Sequence, residues 1–168
     1  MAVAAQSEAP DARVDELLDR LSDPDLRNWT VTEREIVMLW SRSGSPSADY
    51  LLRRGRAAMA NGDLVAAYDH LTALTDHAPE FAEGWNARAT LFFRSQRFGP
   101  SIADIQRVLA LEPRHFGALT GLGIMLEEMG LYERAHDAFE LAHDINPHRP
   151  DIRDALARME AELEGQAL

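Results

Sequence analysis

The sequence predicts an all-α fold in which pairs of antiparallel helices repeat every 34 residues. Pro79, Pro113 and Pro147 are 34 residues apart, and a proline in each of these places ends a helix. Other residues recur at the same step with similar size: large apolar Leu51, Trp85 and Leu119; small Gly55, Ala89 and Gly123; apolar Ala58, Phe92 and Leu126; small Ala67, Ser101 and Ala135; and apolar Leu71, Ile105 and Phe139, then Leu74, Val108 and Ala142. Small residues let two helix axes cross closely while large ones fill the space between them, so the pattern predicts a helical solenoid.

Turn residues divide each period into two helices. Asn61-Gly62-Asp63 offers a glycine that closes one helix and an aspartate that caps the next, and Gly130 has the same place in the third unit. Pro100 suits the first turn of a helix, where its missing N–H is not needed. The predicted helices span 48–60, 64–77, 82–95, 100–111, 116–129 and 133–145.

The two ends of the chain do not follow the repeat. Apolar residues at helical spacing after Pro150 predict a capping helix over 151–164, since the last repeat would otherwise expose its apolar face. Residues 11–21 and 31–40 read as two more helices, followed by a flexible joint over 41–47. We expect these helices to pack against the first repeat through five apolar side chains, Leu17, Leu21, Ile36, Leu39 and Trp40.

These readings give a division of the chain into four parts. They are a disordered tail (1–10), a helical extension with linker (11–47), three repeat units (48–149, divided into 48–81, 82–115 and 116–149), and a capping helix with tail (150–168).

Composition excludes several classes of chemistry. The chain has no cysteine, which rules out thiol catalysis, disulfides and iron–sulfur clusters. All 17 basic residues are arginine, so lysine-dependent chemistry and a phosphate-binding loop ending in Gly-Lys-Ser/Thr are excluded. A net charge of −11 argues against a nucleic-acid partner, which requires a clustered basic face.

No pattern of catalytic or metal-binding residues emerges. The six histidines include no His-x-x-x-His pair, and His77, His115 and His148 lie near the repeat prolines, where an imidazole beside a helix C-terminus is favoured. Gly121 and Gly123 lack the third glycine and the preceding strand of a dinucleotide loop. We therefore expect no catalytic residue, no metal and no cofactor, with an enzyme as the remote alternative.

Two features bear on location. The longest uncharged stretch near the middle of the chain, residues 116–126, is too short to span a bilayer, so we expect no membrane span. Val3-Ala4-Ala5 followed by Gln6 is similar to the small-residue end of a cleaved signal peptide, which favours a periplasmic over a cytoplasmic location.

The 34-residue pattern resembles the tetratricopeptide repeat (TPR) family, whose Trp, Gly, aromatic or aliphatic, Ala and Pro positions it matches from residue 48 to 149. The resemblance implies a right-handed superhelix. Arg54 and Arg88 occupy a place where the family usually has an apolar residue, and we expect them to loosen the packing.

In the TPR family the first helix of each unit lines a concave groove that commonly holds a peptide. The resemblance places nine residues in that groove: Leu52, Arg56, Met59, Asn86, Thr90, Phe93, Arg94, Thr120 and Ile124. Residues 81–115 hold five Arg against three acids, so Arg56 and Arg94 would favour a partner with an acidic or C-terminal carboxylate group. One subgroup of the family binds the C-terminal carboxylate of chaperones through five polar or basic side chains. The equivalent positions of this chain hold different residues: Leu52, Arg56, Ala87, Gly117 and Gly121.

The resulting functional hypothesis is a non-catalytic scaffold, of the kind found among small bacterial accessory factors, that binds a partner protein or peptide in the concave groove. The alternative is a structural module that assembles into a homo-oligomer through its terminal helices.

Overall fold

The computed structural model describes residues 10–166, which form nine helices and no strand. Every helix bound lies within two residues of the bound predicted from the sequence. The helices are α1 (Pro10–Leu21), α2 (Trp29–Trp40), α3 (Pro46–Ala60), α4 (Leu64–His77), α5 (Ala82–Arg94), α6 (Phe98–Leu111), α7 (Phe116–Glu128), α8 (Tyr132–Ile145) and α9 (Pro150–Gln166). The all-α solenoid is thereby confirmed. The signal-like residues 3–6 and most of the proposed tail lie outside the described residues, and Pro10 already belongs to α1.

Helices α3 to α8 pack as three antiparallel pairs, and small residues lie where the axes approach. A Cβ added to Gly55 would lie 2.5 Å from Leu71 Cγ, and one added to Gly123 would lie 2.6 Å from Phe139 Cε1. In the second pair Ser101 is fully buried and its hydroxyl donates to the Ala89 carbonyl at 2.7 Å. The prediction that these positions need small residues is confirmed.

The turns inside the pairs follow the chemistry expected of them. Gly62 and Gly130 have φ of +77° and +72°, the left-handed conformation that glycine adopts freely. The Asp63 carboxylate caps α4 by accepting the Ala66 N–H at 3.0 Å. The second repeat differs, because Gln96 takes this place with φ of +56°, a conformation that costs a residue with a Cβ roughly 1–2 kcal/mol.

Helix α9 covers the end of the third pair. Ile152 and Met159 are fully buried and pack in one cluster with Leu126 and Phe139. The charged residues of α9 face outward, so the last repeat does not end in an exposed apolar surface.

Arg88 does not loosen the packing, contrary to expectation. Its guanidinium binds both oxygens of the buried Asp104 at 2.7 and 2.8 Å, donates to Thr75 Oγ1 at 2.8 Å, and lies over the Trp85 ring at 4.9 Å. A bidentate ion pair satisfies a charge that would be costly if buried alone. Arg54, the equivalent residue of the first repeat, is exposed.

The segment between α2 and α3 is not the flexible joint that we expected. Ser45 caps α3, and Asp49 Oδ1 accepts both the backbone N–H of Ser43 at 2.8 Å and its hydroxyl at 2.6 Å. These hydrogen bonds also hold the pKa of Asp49 below its ordinary value. The segment is therefore a capped turn with a defined path.

The expectation that the N-terminal helices pack against the first repeat was wrong. Helices α1 and α2 form a hairpin, called here the N-terminal hairpin (residues 10–40), whose apolar cluster includes Phe116 of α7 and Ile145 of α8. Arg114, in the turn before α7, binds Asp15 and Asp19 of α1 at 2.6 Å each. The hairpin thus folds back on the third repeat, more than 90 residues away along the chain.

Candidate functional site

The concave face of the solenoid is the candidate site. Helices α3, α5 and α7 contact one another in succession, while the second helices of the pairs form no comparable layer, so the first helices line the inner side. Two of the predicted groove residues belong to the core instead. Leu52 and Met59 are 2% and 6% exposed and pack inside the first repeat, which leaves them almost no surface for a ligand.

A buried carboxylate organises the end of this face where the first helices begin. Glu83, in the first turn of α5, is 6% exposed and receives hydrogen bonds from three sides. Arg56 Nη2 donates to Oε1, Asn86 Nδ2 lies 3.2 and 3.3 Å from the two oxygens, and His115 Nε2 lies 3.0 Å from Oε2. Burial opposes the ionised form, but these partners outweigh it, so the pKa of Glu83 lies below its ordinary value.

His115 serves a different helix end from the one predicted. It caps the N-terminus of α7, because its Nδ1 accepts the Ala118 N–H at 3.1 Å. Nδ1 therefore carries no proton, and Nε2–H is the donor to Glu83. The expectation that this histidine stabilises a helix C-terminus was wrong, since the repeat proline lies two residues before it and the next helix has already begun.

The N-terminal hairpin closes over this carboxylate. The Trp40 indole stacks on His115 and also touches Phe116, with a centroid separation of 5.2 Å to the latter. Ser41 Oγ accepts a hydrogen bond from Arg56 Nη1 at 3.2 Å. Arg56 and Asn86, both predicted to bind a partner, are thus already engaged within the chain.

The other end of hairpin helix α2 is fixed to the third repeat. Asn146 Nδ2 donates to Glu33 at 2.7 Å, Trp29 stacks on His148 at 5.6 Å, and the His148 ring nitrogen Nε2 lies 3.1 Å from the Leu21 carbonyl oxygen. The start of α2 is therefore anchored at the end of the third repeat, and Trp40 at its other end lies against the start of that repeat.

The opposite end of the concave face remains open. Thr90, Arg94 and Ile124, in the second halves of α5 and α7, are exposed and Phe93 is half-buried, whereas the half-buried Thr120 lies nearer the start of α7. Arg94 uses one guanidinium nitrogen to donate to the Met59 carbonyl at 3.1 Å, and Phe93 stacks on Phe98. These residues offer an apolar surface beside a cation that keeps further donors for a ligand.

A cleft that the sequence did not predict separates the N-terminal hairpin from the repeat turns. Its volume is about 690 Å³, within the usual range for ligand sites. Its walls include Leu39 and Trp40 of the hairpin, Phe81, and Leu111. Because it exists only where the hairpin meets residues 78–82 and 111–113, no local motif could have revealed it.

The Glu83–His115 pair leaves no nitrogen of the imidazole free. Glu83 and His115 are the buried acid and base nearest to each other, but both imidazole nitrogens have partners in the chain and the carboxylate is surrounded. Catalysis requires an atom within reach of a substrate, and this pair presents none. Among the described residues the potential metal ligands His136, Asp137 and Glu140 lie within 4.8 Å of one another, but Asp137 and Glu140 are exposed on one turn of α8, as solvated charges commonly are.

The described helices include none that is both long and apolar enough to cross a membrane. The stacked helix pairs with a concave inner layer and a capping helix define the class of helical-repeat solenoids.

Comparison with known proteins gives the family. A TPR repeat-containing protein of Rhizobium etli is 33% identical over 162 residues, which cover 95% of this chain and 78% of that protein. No protein-family model matches the chain. The chain belongs to the tetratricopeptide repeat family, as the 34-residue period indicated.

Solved structures share the fold at lower identity. The TPR domain of Sgt2 from Aspergillus fumigatus superposes with a TM-score of 0.68 at 22% identity, covering 73% of this chain and 83% of that domain. The first TPR domain of Spaghetti (RPAP3), in a structure with an HSP90 peptide of sequence SRMEEVD, gives 0.69 at 22% identity, covering 71% and 95%. At this identity the likeness shows the fold alone.

Proposed function

We propose that this chain is a non-catalytic scaffold that binds an extended segment of a partner protein along the open part of the concave face. The observation that carries the proposal is the contrast between the two ends of that face. One end is filled by Glu83 and covered by the N-terminal hairpin. At the other end Ile124 of α7 and Arg94 of α5 are exposed, and Phe93 of α5 is half-buried.

The partner segment carries an acidic side chain or a free C-terminal carboxylate. Arg94 is exposed and still has unused N–H donors, which pair in a forked geometry with a carboxylate. The structure of the Spaghetti domain supports this choice by analogy, because that domain is seen with a peptide ending in Glu-Glu-Val-Asp. A chaperone-type clamp is not part of the proposal, since Leu52 is buried and Gly117 and Gly121 have no side chain to donate.

The test selects peptides with free C-termini from a random library on the full chain, and then measures their affinity by fluorescence anisotropy. We expect Phe93→Ala combined with Ile124→Ser to weaken binding about thirtyfold or more, because truncating an anchor that the partner buries costs more than about 1 kcal/mol each. Leu141→Ser is the matched control, since it removes an exposed leucine from α8, a second helix of the repeats.

Two further measurements test whether the site recognises a carboxylate. Arg94→Gln or amidation of the peptide C-terminus should each reduce the affinity for carboxylate-ending peptides. Equal affinity for all these variants and peptides would move the binding site away from the open groove and overturn the proposal.

A further inference from the structure

Helix α2 has a second apolar face that nothing in the described structure covers. Its inner face, with Thr32 and Ile36 buried, packs on α1 and the third repeat. On the other side Val31, Val37 and Met38 are 59%, 43% and 46% exposed. We propose that this outer face of α2, consisting of Val31, Arg34, Val37 and Met38, is a docking surface for an amphipathic helix of another protein that carries an acidic residue at its centre.

The spacing makes these residues one surface. Val31 lies three residues before Arg34, and Val37 and Met38 lie three and four residues after it, so each apolar side chain neighbours Arg34 on the helix surface. A surface helix of a globular protein normally carries polar residues on the face opposite its buried stripe. Three large apolar side chains in this place mark an interaction surface. Their length along the axis, about 10 Å, equals two helical turns and fits a short partner helix.

Charge defines what the partner carries. Glu33 and Glu35, on either side of Arg34, are both used inside the chain: Glu33 binds Asn146 and Arg149, and Glu35 binds Arg13 at 2.9 Å. Arg34 forms no ion pair with any described side chain, so the outer face presents a positive charge on a chain of net charge −11. An aspartate or glutamate flanked by apolar residues is the complementary group.

A second copy of this chain does not fit the surface. In a two-fold symmetric pair the same patch faces itself. Arg34 lies at the middle of the stripe, so two copies crossing there would bring two guanidinium groups together without a counterion. An acidic helix of another protein removes this repulsion and covers the three apolar side chains at the same time.

This surface is separate from the groove of the proposed function. None of its four residues belongs to α3, α5 or α7. The two sites can therefore be disabled one at a time, and the failure of one does not imply the failure of the other.

The experiment uses two synthetic helical peptides, each about four turns long, with leucine on one face and either Glu or Lys at the centre of that face. Binding to the full chain is measured by fluorescence anisotropy, and the contact site by amide chemical-shift changes. We expect the Glu peptide to bind about two- to fivefold more tightly than the Lys peptide, with shift changes centred on residues 30–38. Arg34→Glu should reverse that preference.

Variants distinguish binding at the outer face of α2 from nonspecific hydrophobic binding elsewhere on the chain. Val37→Ser combined with Met38→Ser should weaken the Glu peptide about fivefold or more, whereas Val65→Ser, which changes an exposed valine of α4, should leave the affinity unchanged. All these side chains are exposed, so the variants are expected to fold as the wild type does. Equal binding of the Glu and Lys peptides, unchanged binding of the double variant, or shift changes confined to the concave face would each overturn the proposal. A wild-type dimer that the double variant abolishes would assign the surface to a second copy and also overturn it.

Discussion

The indole ring of Trp40 stacks on the imidazole of His115 with ring centroids 4.2 Å apart and planes 10° from parallel. His115 in turn caps α7 and binds the buried Glu83. One aromatic contact thus joins the N-terminal hairpin, the start of the third repeat and the carboxylate of the second. The hairpin is held by this contact as a part of the folded domain.

Replacing Trp40 by alanine should loosen the hairpin and lower the free energy of unfolding by about 3 kcal/mol, because a large aromatic contact is removed from a packed cluster. Urea unfolding followed by circular dichroism measures this value. Leu141→Ala, at an exposed site of α8, should change stability by less than about 0.5 kcal/mol. If Trp40→Ala also lowered the free energy of unfolding by less than about 0.5 kcal/mol, the stacking of Trp40 on His115 would not contribute to stability.

Arg88→Ala should be destabilising by about 3–5 kcal/mol, because it leaves the buried Asp104 without its partner. Arg54→Ala provides a matched control at the equivalent position of the first repeat, where the side chain is exposed, and should be nearly neutral. Replacing Arg88 and Asp104 together by leucine should cost less than Arg88→Ala alone. If Arg54→Ala and Arg88→Ala had equal effects in thermal unfolding, the ion pair would not support the fold.

Glu83 should make stability depend on pH in the acid range. Its pKa is lowered in the folded chain, so its contribution is fully present above the ordinary pKa of 4.5 and is lost as the pH falls through the lower folded value. The free energy of unfolding of Glu83→Gln should therefore fall less steeply than that of the wild type on acidification below pH 4.5. Urea titrations at a series of pH values compare the two slopes, and parallel curves would contradict this assignment.

Gly123→Ala should destabilise the third repeat by about 1–3 kcal/mol, because the added methyl group would overlap the Phe139 ring. Gly99→Ala is the control, since an added Cβ there meets no atom within 4 Å, and alanine is the better helix former by up to about 1 kcal/mol. Thermal unfolding should move in opposite directions for the two variants. A stabilising effect of Gly123→Ala would contradict the overlap between the added methyl group and the Phe139 ring.

The chain should sediment as a monomer near 18.8 kDa over a wide concentration range. The self-assembly alternative requires the terminal helices to be free for other copies, yet the inner face of α2 and the inner face of α9 are both buried within one chain. Analytical ultracentrifugation decides between the two. A concentration-dependent increase in mass would favour the homo-oligomer.

The sequence predicted what depends on local pattern. The 34-residue period predicted the helix pairs. Gly55 and Gly123 indicated where the helices of a pair approach closely, and Asp63 was predicted to cap the second helix of the first repeat. What it missed depends on contacts between distant residues. No residue near Arg88 in the sequence indicates that its partner is the Asp104 carboxylate. Trp40 lies over His115 because the N-terminal hairpin packs on the third repeat and not on the first repeat, which follows it in the sequence.

The candidate site shows the same limit. The resemblance predicted Leu52, Arg56 and Asn86 as groove residues, but it could not show that Leu52 is buried or that Arg56 and Asn86 bind Glu83. Their availability depends on neighbouring helices, which a repeat pattern does not encode. The residues at the open end, Phe93 and Ile124, remain a prediction for the partner experiment.

The contacts of the hairpin with the third repeat change how the molecule as a whole unfolds. In an open solenoid each repeat touches only its neighbours, so the terminal repeats can fray independently. Here Leu21 meets His148 and Glu33 meets Asn146, pairs separated by 127 and 113 positions. These long-range contacts raise the contact order, which slows folding. They also couple the first helices to the last repeat, so we expect the N-terminal hairpin and the third repeat to unfold together.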